Sequence, residues 1–303
     1  MTADTSRSLV GPTLNNTALV VVTYQPDAEF QQRLEIAAAQ FPATIVVDNT
    51  GVESCELSGL CPEQMRFIRN HSNLGLGAAL NQGCEAVLEA GFEWVVTLDQ
   101  DSLLEEEFLR IMIQGWNQSE EKAVVLGSNY FSVSRGAYKI NPEQQFSTRP
   151  LKTVITAGCL MHLGSWRDLG RFREDFFIDS IDHEFCLRVR GAGLGVRINC
   201  RPGMRHTIGD KLDYRYGLKR LAPFSHSPLR KYTSARNSMR TILEYARQEP
   251  GWCLRKLAGL SAELLSIIIL ESGKSRRLKS FLLGLKHGWQ GKMGPIPDVL
   301  LHD

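Results

Sequence analysis

Two aspartates separated by one residue, Asp99 and Asp101, follow an apolar run that ends at Leu98. In an extended chain alternate side chains point the same way, so the two carboxylates share one face and Gln100 points away from it. Paired carboxylates suit a hard cation such as Mg²⁺ or Mn²⁺, which can bridge the phosphates of a nucleotide. The alternative is a helix start, with Ser102 as the N-cap and the acidic residues after it in the first turn. The pair alone is a weak signal for metal, and its position at a strand end strengthens it.

Glycines stand at positions 75 and 77, in a segment from Asn73 to Gly83 that opens a helical pattern. Because glycine has no Cβ, backbone amides there could approach a phosphate or a ribose closely. The segment is not a G-x-G-x-x-G fingerprint, since Leu80 stands at the third position, and it lacks the lysine of a P-loop. The alternative is a helix start that packs closely on a sheet.

An acidic segment, residues 174–188, carries carboxylates at the start of a predicted helix. If this helix begins near Asp179, then Asp182 lies one turn in, and Glu184 and Arg188 are i,i+4 neighbours that could form a supporting ion pair. A carboxylate on a helix that closes over a sugar site can take a proton from an attacking hydroxyl. The alternative is an exposed acidic helix end.

A histidine follows further along the chain, at position 206, where the sequence has no helical pattern. The imidazole of His206 could complete a carboxylate metal site. The alternative is a structural histidine, which is the commoner role.

Strand and helix patterns alternate through the first hundred residues. Apolar runs predict strands over 18–24, 44–48, 65–69 and 94–98, and apolar spacing predicts helices over 27–41 and 76–90. Such alternation indicates βαβ units and a parallel sheet with right-handed crossovers, in which ligands bind beyond the carboxyl ends of the strands. Polar residues stand at three of those ends: Thr23–Tyr24, Asp48–Asn49 and Asp99–Asp101. Together they predict one site.

From about residue 225 the pattern changes to long helical periodicity, which Pro250 and Gly251 interrupt. A third helical segment, 276–290, combines apolar and basic residues: Leu278, Phe281, Leu282, Leu285 and Trp289 with Arg276, Arg277, Lys279 and Lys286. That composition is typical of a helix in a membrane interface, and the alternative is a helix packed on its own core or in a dimer interface. We predict a polar leader over 1–16, an α/β domain over 17–224 and a helical region over 225–303.

Composition limits the classes of function. The chain has 303 residues, 43% hydrophobic and 22% charged, and its net charge of +2 does not favour a protein that as a whole coats nucleic acid or a membrane. Sixteen Lys/Arg and four Asp/Glu between residues 186 and 256 form a basic region, which is either a solvated surface or one that faces phosphates. Seven scattered cysteines predict neither a disulfide framework nor a zinc knuckle and fit a reducing compartment. No signal peptide is recognisable, and no apolar run approaches the ~20 residues of a spanning helix.

Taken in order, these motifs resemble the family-2 glycosyltransferases with the GT-A fold, and in particular their bacterial rhamnosyltransferase branch. The resemblance covers residues 17 to 245 and rests on these segments: Val22-Thr23-Tyr24 with Pro26, Val47-Asp48-Asn49, Asn73-Leu74-Gly75 to Asn81, Thr97 to Ser102, Ala157-Gly158, Phe177-Ile178-Asp179, Asp182 to Arg188, His206 to Gly209, and Tyr232 with Arg236-Asn237. The departures are modest. Gln25 replaces the usual Asn, Thr50-Gly51 follow Asp48-Asn49, and Thr233 stands where a second Tyr is usual.

The resemblance implies an α/β fold of the GT-A type, a Rossmann-like mixed sheet that binds a nucleotide-diphospho-sugar, with a C-terminal helical appendage. It implies an inverting single displacement in which dTDP-β-L-rhamnose gives its sugar to an acceptor hydroxyl. Asp182 is the expected base, with Asp179 as the runner-up. The expected cofactor is Mg²⁺ or Mn²⁺, held by Asp101 with Asp99 and His206 nearby.

The same resemblance assigns the remaining site residues. Asp48 is expected to bind the pyrimidine N3–H, and Thr23 and Tyr24 to cradle the base and ribose. The full donor-binding set is Thr23, Tyr24, Asp48, Asn73, Gly75, Asn81, Asp99 and Asp101. The acceptor-side or supporting set is Gly158, Asp179, Glu184, Arg188 and Arg236.

The acceptor stays open: a lipid-linked O-antigen intermediate, another cell-wall polysaccharide precursor or a smaller glycoside. A lipid-linked acceptor favours a cytoplasmic enzyme, peripheral on the inner face of the cytoplasmic membrane through its C-terminal helices, and a homodimer is also open. One alternative is another donor, such as UDP-galactofuranose, UDP-glucose or UDP-N-acetylglucosamine. A second is a non-catalytic nucleotide-sugar-binding protein, which the presence of Asp182 disfavours. A nicotinamide dehydrogenase is disfavoured because Tyr24-Gln25-Pro26 follows the first strand in place of a glycine fingerprint.

Overall fold

The computed structural model describes residues 9–51, 65–133, 135–142, 147–206, 214–216, 219–221, 227–271, 273–294 and 296–297. Its strands are β1 Thr17–Thr23, β2 Thr44–Asp48, β3 Met65–Arg69, β4 Trp94–Asp99, β5 Ser102–Leu104, β6 Ala123–Ser132, β7 Ala137–Tyr138, β8 Thr148–Pro150, β9 Cys159–His162, β10 Gly195–His206, β11 Tyr214–Tyr216 and β12 Lys219–Leu221. Its helices are α1 Phe30–Ala38, α2 Leu76–Glu89, α3 Phe108–Gln118, α4 Leu163–Asp168, α5 Ile181–Gly191, α6 Pro228–Tyr245, α7 Pro250–Ile269 and α8 Lys274–Gln290, with a 3-10 helix at Glu174–Phe176.

The first four strands form the parallel half of the main sheet, in the order β3-β2-β1-β4. Every residue of β1 and β2 is buried, as their continuous apolar runs predict for strands covered on both faces. Thr23 pairs with Asp48, and Val22 pairs with Asp99. The polar residues at the ends of these strands therefore meet at one edge of the sheet, as the sequence predicted.

The second half makes the sheet mixed. Its order continues β4-β9-β6-β10-β5, with β9 antiparallel to both of its neighbours and β10 parallel to β6 but antiparallel to β5. Strand–helix alternation predicted a parallel sheet, which holds for β1 to β4 and for the β6–β10 pair, whereas the mixed sheet that the resemblance implied is confirmed. The alternative in which Ser102 caps a helix is wrong, because Ser102 begins β5, opposite His206 of β10, and α3 starts only at Phe108.

Helices cover both faces of the sheet. Because side chains alternate along β1, Val20 and Val22 pack against α2, α4 and α5 on one face, while Leu19 and Val21 pack against α1 and α3 on the other. The result is a three-layer α/β/α core with the sheet in the middle.

The C-terminal helices pack on this core through α6. A cluster of apolar side chains from α6, α7 and α8 includes Leu187 of α5. Helices α6 and α8 lie in direct backbone contact, since a Cβ added at Gly284 or Gly288 would clash with the carbonyl oxygens of Tyr232 and Arg236. The division of the chain at residue 225 stays a prediction.

Helix α8 uses much of its apolar side for packing. Phe281 is fully buried, and Leu278 and Leu285 pack against the same cluster. Of the five apolar residues that suggested a membrane-interface helix, only Leu282 and Trp289 are exposed large side chains. Among the described helices, none is both long and apolar enough to cross a bilayer.

Candidate active site

A cleft of about 520 Å³ opens at the carboxyl ends of β1 and β4. Nine of the predicted site residues line it: Thr23, Tyr24, Asn73, Gly75, Asp99, Asp101, Asp179, Asp182 and His206. Asp48, Asn81, Gly158, Glu184, Arg188 and Arg236 are outside the lining. The two groups differ in what their side chains contact.

Three side chains on one wall of the cleft form a possible metal site. Asp99 ends β4, Asp101 follows it, and His206 ends β10; their ligand atoms all lie within 4.8 Å of one another. His206 reaches this position because β10 pairs with β5, which follows Asp101 directly. The imidazole Nδ1 lies 2.9 Å from the Ser102 hydroxyl and 3.4 Å from an Asp101 carboxylate oxygen. Two carboxylates and an imidazole are a donor set that fits Mg²⁺ or Mn²⁺.

Electrostatics make this group a strong proton or cation acceptor. The pKa of Asp99 is raised to about 6, mainly by burial; the charges of Asp101 and Asp182 also raise it, and those of His206 and Arg230 oppose the shift. Burial alone would lower the pKa of His206, but the hydrogen bond with Asp101 and the two carboxylate charges outweigh it, so this pKa is raised. When no divalent ion is bound, protons on Asp99 and His206 therefore compensate the negative charge of this group as the pH falls toward 6.

Gln100, which was expected to point away from the two aspartates, faces the end of β1. Its Oε1 accepts hydrogen bonds from the Thr23 hydroxyl and the Tyr24 amide, both at 2.7 Å, and its Nε2 donates to the Tyr24 carbonyl. The Arg33 side chain donates to the Gln100 carbonyl. These bonds join β1 to the Asp-x-Asp turn and leave the Tyr24 side chain 45% exposed at the mouth of the cleft.

Gly75 and Gly77, at the start of α2, are packed closely against other parts of the protein. Gly75 has φ +88° and lines the cleft, but a Cβ on it would clash with Phe177, and a Cβ on Gly77 would clash with the Arg173 carbonyl. The Leu76 amide at the start of α2 donates to the Phe177 carbonyl at 2.6 Å. Both glycines are therefore packed closely against the loop that contains Arg173 and Phe177, and the approach of a phosphate or a ribose to this segment stays a prediction.

The loop that leads into α5 is strained. Phe177, Asp179 and Ser180 all have positive φ, near 63°, 69° and 62°, which is costly for residues other than glycine. Asn237 of α6 holds this loop, since its side-chain amide donates to the carbonyls of residues 176, 178 and 179 at 2.8, 2.8 and 3.0 Å. Strain maintained in this way is typical of functional loops.

Two carboxylates follow the strained loop and differ in their partners. Asp179 accepts from the Thr233 hydroxyl at 2.8 Å and pairs with Arg230 at 3.2 Å. Asp182, in the first turn of α5, accepts one hydrogen bond within the described structure, from the amide of His183. Asp182 is therefore the carboxylate with a free oxygen facing the cleft.

Comparison with known proteins agrees with this geometry. Residues 20–210, well over half of the chain, match the profile of Glycosyl transferase family 2. The chain belongs to glycosyltransferase family 2. A curated relative, the dTDP-rhamnosyl transferase RfbF of Shigella flexneri, is 25% identical over 294 residues, which is 92% of this chain and 97% of RfbF.

Solved structures share the fold of this glycosyltransferase. Staphylococcus aureus TarS superposes with a TM-score of 0.61 at 14% identity over 94% of this chain, and the chain spans half the length of TarS. The TarS 1–349 complex with UDP-GlcNAc gives 0.58 at 15% identity, covering 90% of this chain and 81% of that one. The structure of GalNAc-T7 with UDP, GalNAc and Mn²⁺ gives 0.54 at 12% identity, covering 76% of this chain and 48% of that one. The GT-A fold is thereby confirmed.

Several predicted residues of the glycosyltransferase make structural contacts outside the cleft. Asp48 is buried and accepts from the amide and hydroxyl of Thr50. Asn81 is bonded to the Phe172 backbone and the Glu174 carboxylate. Asn49, which follows β2, lines the cleft, and its side-chain amide donates to Asn73 and to the Gly75 carbonyl.

The predicted acceptor-side residues also have internal partners. The expected ion pair of Glu184 with Arg188 is present at 2.6 Å, and Glu184 also accepts from Tyr245. Arg236 is fully buried and donates to the backbone carbonyls of residues 175, 176 and 294. Gly158 has φ +67°, and its amide donates to the Thr97 carbonyl.

Two cations in the cleft were not predicted from sequence. Arg230 of α6 and Lys256 of α7 both line it. Lys256 has no hydrogen bond or ion pair with any described residue; burial lowers its pKa, against the charges of Asp182, Asp179 and Glu263. The available signal was helical spacing, because Lys256 lies four residues from both Trp252 and Leu260, on the buried side of α7.

Proposed function

We propose that this glycosyltransferase moves L-rhamnose from dTDP-β-L-rhamnose to a saccharide hydroxyl, with inversion at the anomeric carbon. The observation that carries the proposal is Asp182, a carboxylate with a free oxygen in the same cleft as Asp99, Asp101 and His206. The description of RfbF as a dTDP-rhamnosyl transferase, along nearly its whole length, supports the choice of donor.

Asp182 is proposed as the general base. It accepts the proton of the acceptor hydroxyl while that oxygen attacks the anomeric carbon from the face opposite the diphosphate. The bond from the anomeric carbon to the diphosphate oxygen breaks, and its electron pair leaves with the nucleotide. One displacement inverts the configuration, so a second catalytic carboxylate is not required. Asp179 is the weaker candidate because Thr233 and Arg230 already occupy its two oxygens.

Asp99, Asp101 and His206 are proposed to hold Mg²⁺ or Mn²⁺. When bound, the ion supplies positive charge that stabilises the leaving diphosphate. Without a cation, Asp99 and Asp101 would repel a diphosphate, so donor and metal are expected to bind together.

The nucleotide is proposed to lie at the end of β1. Tyr24, exposed at the cleft mouth, offers its ring to the base, and Gln100 holds the Thr23–Tyr24 turn in place. The predicted contact of Asp48 with the pyrimidine N3–H requires that carboxylate to exchange its bonds with Thr50. Asn73, exposed at the same wall, is proposed to contact the ribose.

The acceptor is proposed to be a lipid-linked saccharide of the O-antigen or cell-wall type. An enzyme that uses such an acceptor would work on the inner face of the cytoplasmic membrane. The basic region between residues 186 and 256, which contributes Arg230 and Lys256 to the cleft, is consistent with a substrate that carries phosphate.

A donor panel tests the proposal. Purified protein with Mn²⁺ is incubated with dTDP-β-L-rhamnose, UDP-galactofuranose, UDP-glucose or UDP-N-acetylglucosamine and with lipid-linked saccharides extracted from the source organism. The product is identified by mass, and Asp182→Asn protein supplies the background. We expect a mass increase of one deoxyhexose from dTDP-rhamnose alone. Preferential use of any UDP-sugar would contradict the assignment of the donor.

A further inference from the structure

The outward face of α7 is apolar along its whole length. Its exposed large side chains are between 39% and 67% accessible: Leu254, Leu257, Leu265, Ile268 and Ile269. These positions recur at helical spacing, with Ser261 as the one polar residue among them. From residue 254 to residue 269 the face extends about 22 Å at the rise of an α-helix. Scattered exposed apolar residues are ordinary, whereas a continuous apolar face marks an interaction surface.

Helix α8 widens this face. Leu282 and Trp289 are 48% and 67% exposed. They lie one helical turn from Leu278 and Leu285, which pack in the same cluster as Leu264 of α7. The two exposed side chains therefore lie on α8 next to residues of the cluster that α7 shares. We call the exposed apolar residues of α7, together with Leu282 and Trp289, the apolar surface.

Charges of one sign border the apolar surface. The only acidic residues between 250 and 292 are Glu263 and Glu271, and both turn inward to Lys231, at 3.0 and 2.9 Å. Glu271 also pairs with Arg277 at 3.2 Å. Basic residues around the surface are instead exposed to solvent: Arg255, Lys274, Lys279 and Lys286.

We propose that the apolar surface lies on an anionic lipid bilayer, with the aliphatic side chains among the acyl chains and the basic border at the headgroups. Trp289 fits the boundary between the two, where an indole has an apolar body and a polar N–H. The sequence pattern had assigned this contact to α8. The structure moves most of it to α7, because α8 buries Phe281 and packs Leu278 and Leu285 inside.

Charge decides between a bilayer and a second copy of the chain. A two-fold dimer would place the same surface on both sides of the interface. The basic borders of the two copies would then face each other without an exposed carboxylate from α7 or α8 to compensate them. An anionic bilayer supplies the opposite charge along the entire border.

The apolar surface and the cleft share α7, since Lys256 of this helix lines the cleft. A bilayer-bound enzyme would therefore present its acceptor side to lipid-linked molecules in the same membrane. Only this orientation toward lipid-linked acceptors rests on the proposed function, because binding of the chain to a bilayer is measured without substrate.

Vesicle co-sedimentation of the full chain tests the proposal. Vesicles contain phosphatidylcholine alone or an equal mixture with phosphatidylglycerol, at low and high salt. We expect salt-sensitive binding to the mixed vesicles. The double variant Leu265→Gln with Ile269→Gln should weaken it on the order of tenfold or more for each residue. Lys279→Gln with Lys286→Gln should weaken it about fivefold for each charge.

The matched control is Ile36→Gln with Val133→Gln, which removes two exposed apolar side chains of the α/β core and should leave vesicle binding unchanged. Circular dichroism verifies that each variant is folded, as expected for substitutions at exposed positions. Equal binding by wild type and the α7 variant would overturn the proposal. The proposal would also be overturned if neither protein bound vesicles and light scattering found a dimer for the wild type and a monomer for the α7 variant. Vesicle binding without rhamnosyl transfer would leave this inference intact and refute the proposed donor. Rhamnosyl transfer without vesicle binding would support the proposed donor and refute this inference.

Discussion

Asn237 offers a quantitative test of how the strained loop positions Asp182. Its amide group has two hydrogens shared among the carbonyls of Phe176, Ile178 and Asp179. The Phe176 carbonyl also accepts from Arg236, so Asn237→Ala leaves the other two carbonyls without this donor. At ~1–2 kcal/mol for each unsatisfied acceptor, the variant should lose about 2–4 kcal/mol of stability.

The loop strain predicts where that loss is felt. Three positive-φ residues store ~1–3 kcal/mol each, so a loop without its anchor relaxes before the rest of the molecule unfolds. Asp182 lies two residues beyond Ser180, and a displacement of ~1 Å in a catalytic group can reduce rate ~10²-fold. We expect Asn237→Ala to lower kcat about 10- to 100-fold while the Kd for dTDP stays within about twofold.

Rhamnosyl transfer, dTDP titration and thermal unfolding are measured on this variant and on a control. Thr241→Val removes the hydroxyl that bonds to the Asn237 carbonyl one turn away, without touching the loop. The control should lose stability but not kcat. The reasoning is refuted if Asn237→Ala retains wild-type kcat, or if Thr241→Val reduces kcat equally at matched stability.

Three further predictions concern the cleft. Asp101→Ala should remove the stimulation by added Mn²⁺ and weaken donor binding; full wild-type activity in excess chelator would show that the carboxylates act without metal. Because the pKa of Asp99 is raised to about 6, a cation that binds below this pH must displace a proton. The Mn²⁺ affinity measured by calorimetry should therefore increase at least about tenfold for each unit by which the pH is raised toward 6. An affinity that does not depend on pH would contradict this. Lys256→Met should lower turnover about tenfold with donor affinity unchanged, because the charges of Asp182 and Asp179 act on its ammonium, and Lys256→Arg should restore part of the turnover; a loss of donor binding would instead assign Lys256 to the donor side.

Local pattern was sufficient for the first half of the sheet and for the edge at which the site forms. The strands over 44–48 and 65–69 have the predicted bounds, although only the first is a continuous apolar run and the second contains Arg66 and Arg69. Parallel strands bring their carboxyl ends together, so the meeting of Thr23 with Asp48 follows from the strand pattern.

Non-local pairing lay beyond that reasoning. His206 joins Asp99 and Asp101 only because β10 crosses the sheet to pair with β5, a contact between residues about a hundred positions apart. No periodicity in the sequence specifies it. The resemblance to known transferases, and not the residue pattern, had placed His206 in the site.

Polar residues that bind the chain's own backbone look like ligand-binding residues in a sequence. Asn81 was predicted to bind the donor, and Arg236 to lie on the acceptor side or to support the site; in the structure both side chains bond to the segment 172–176. Lys256 is the opposite case. It was left out because residues 225–303 were interpreted as a helical appendage to the α/β core, whereas the packing of Trp252 and Leu260 turns the lysine toward the cleft.

The measurement that tests the central claim most directly compares Asp182→Asn with Asp179→Asn. Both proteins are assayed for transfer from dTDP-rhamnose to lipid-linked saccharides and for dTDP affinity. We predict that Asp182→Asn lowers kcat about 10²- to 10⁴-fold with dTDP affinity nearly unchanged, as loss of a general base should. Asp179→Asn should retain measurable turnover, because its oxygens serve Thr233 and Arg230. Near-normal turnover by Asp182→Asn, with Asp179→Asn inactive, would contradict the account.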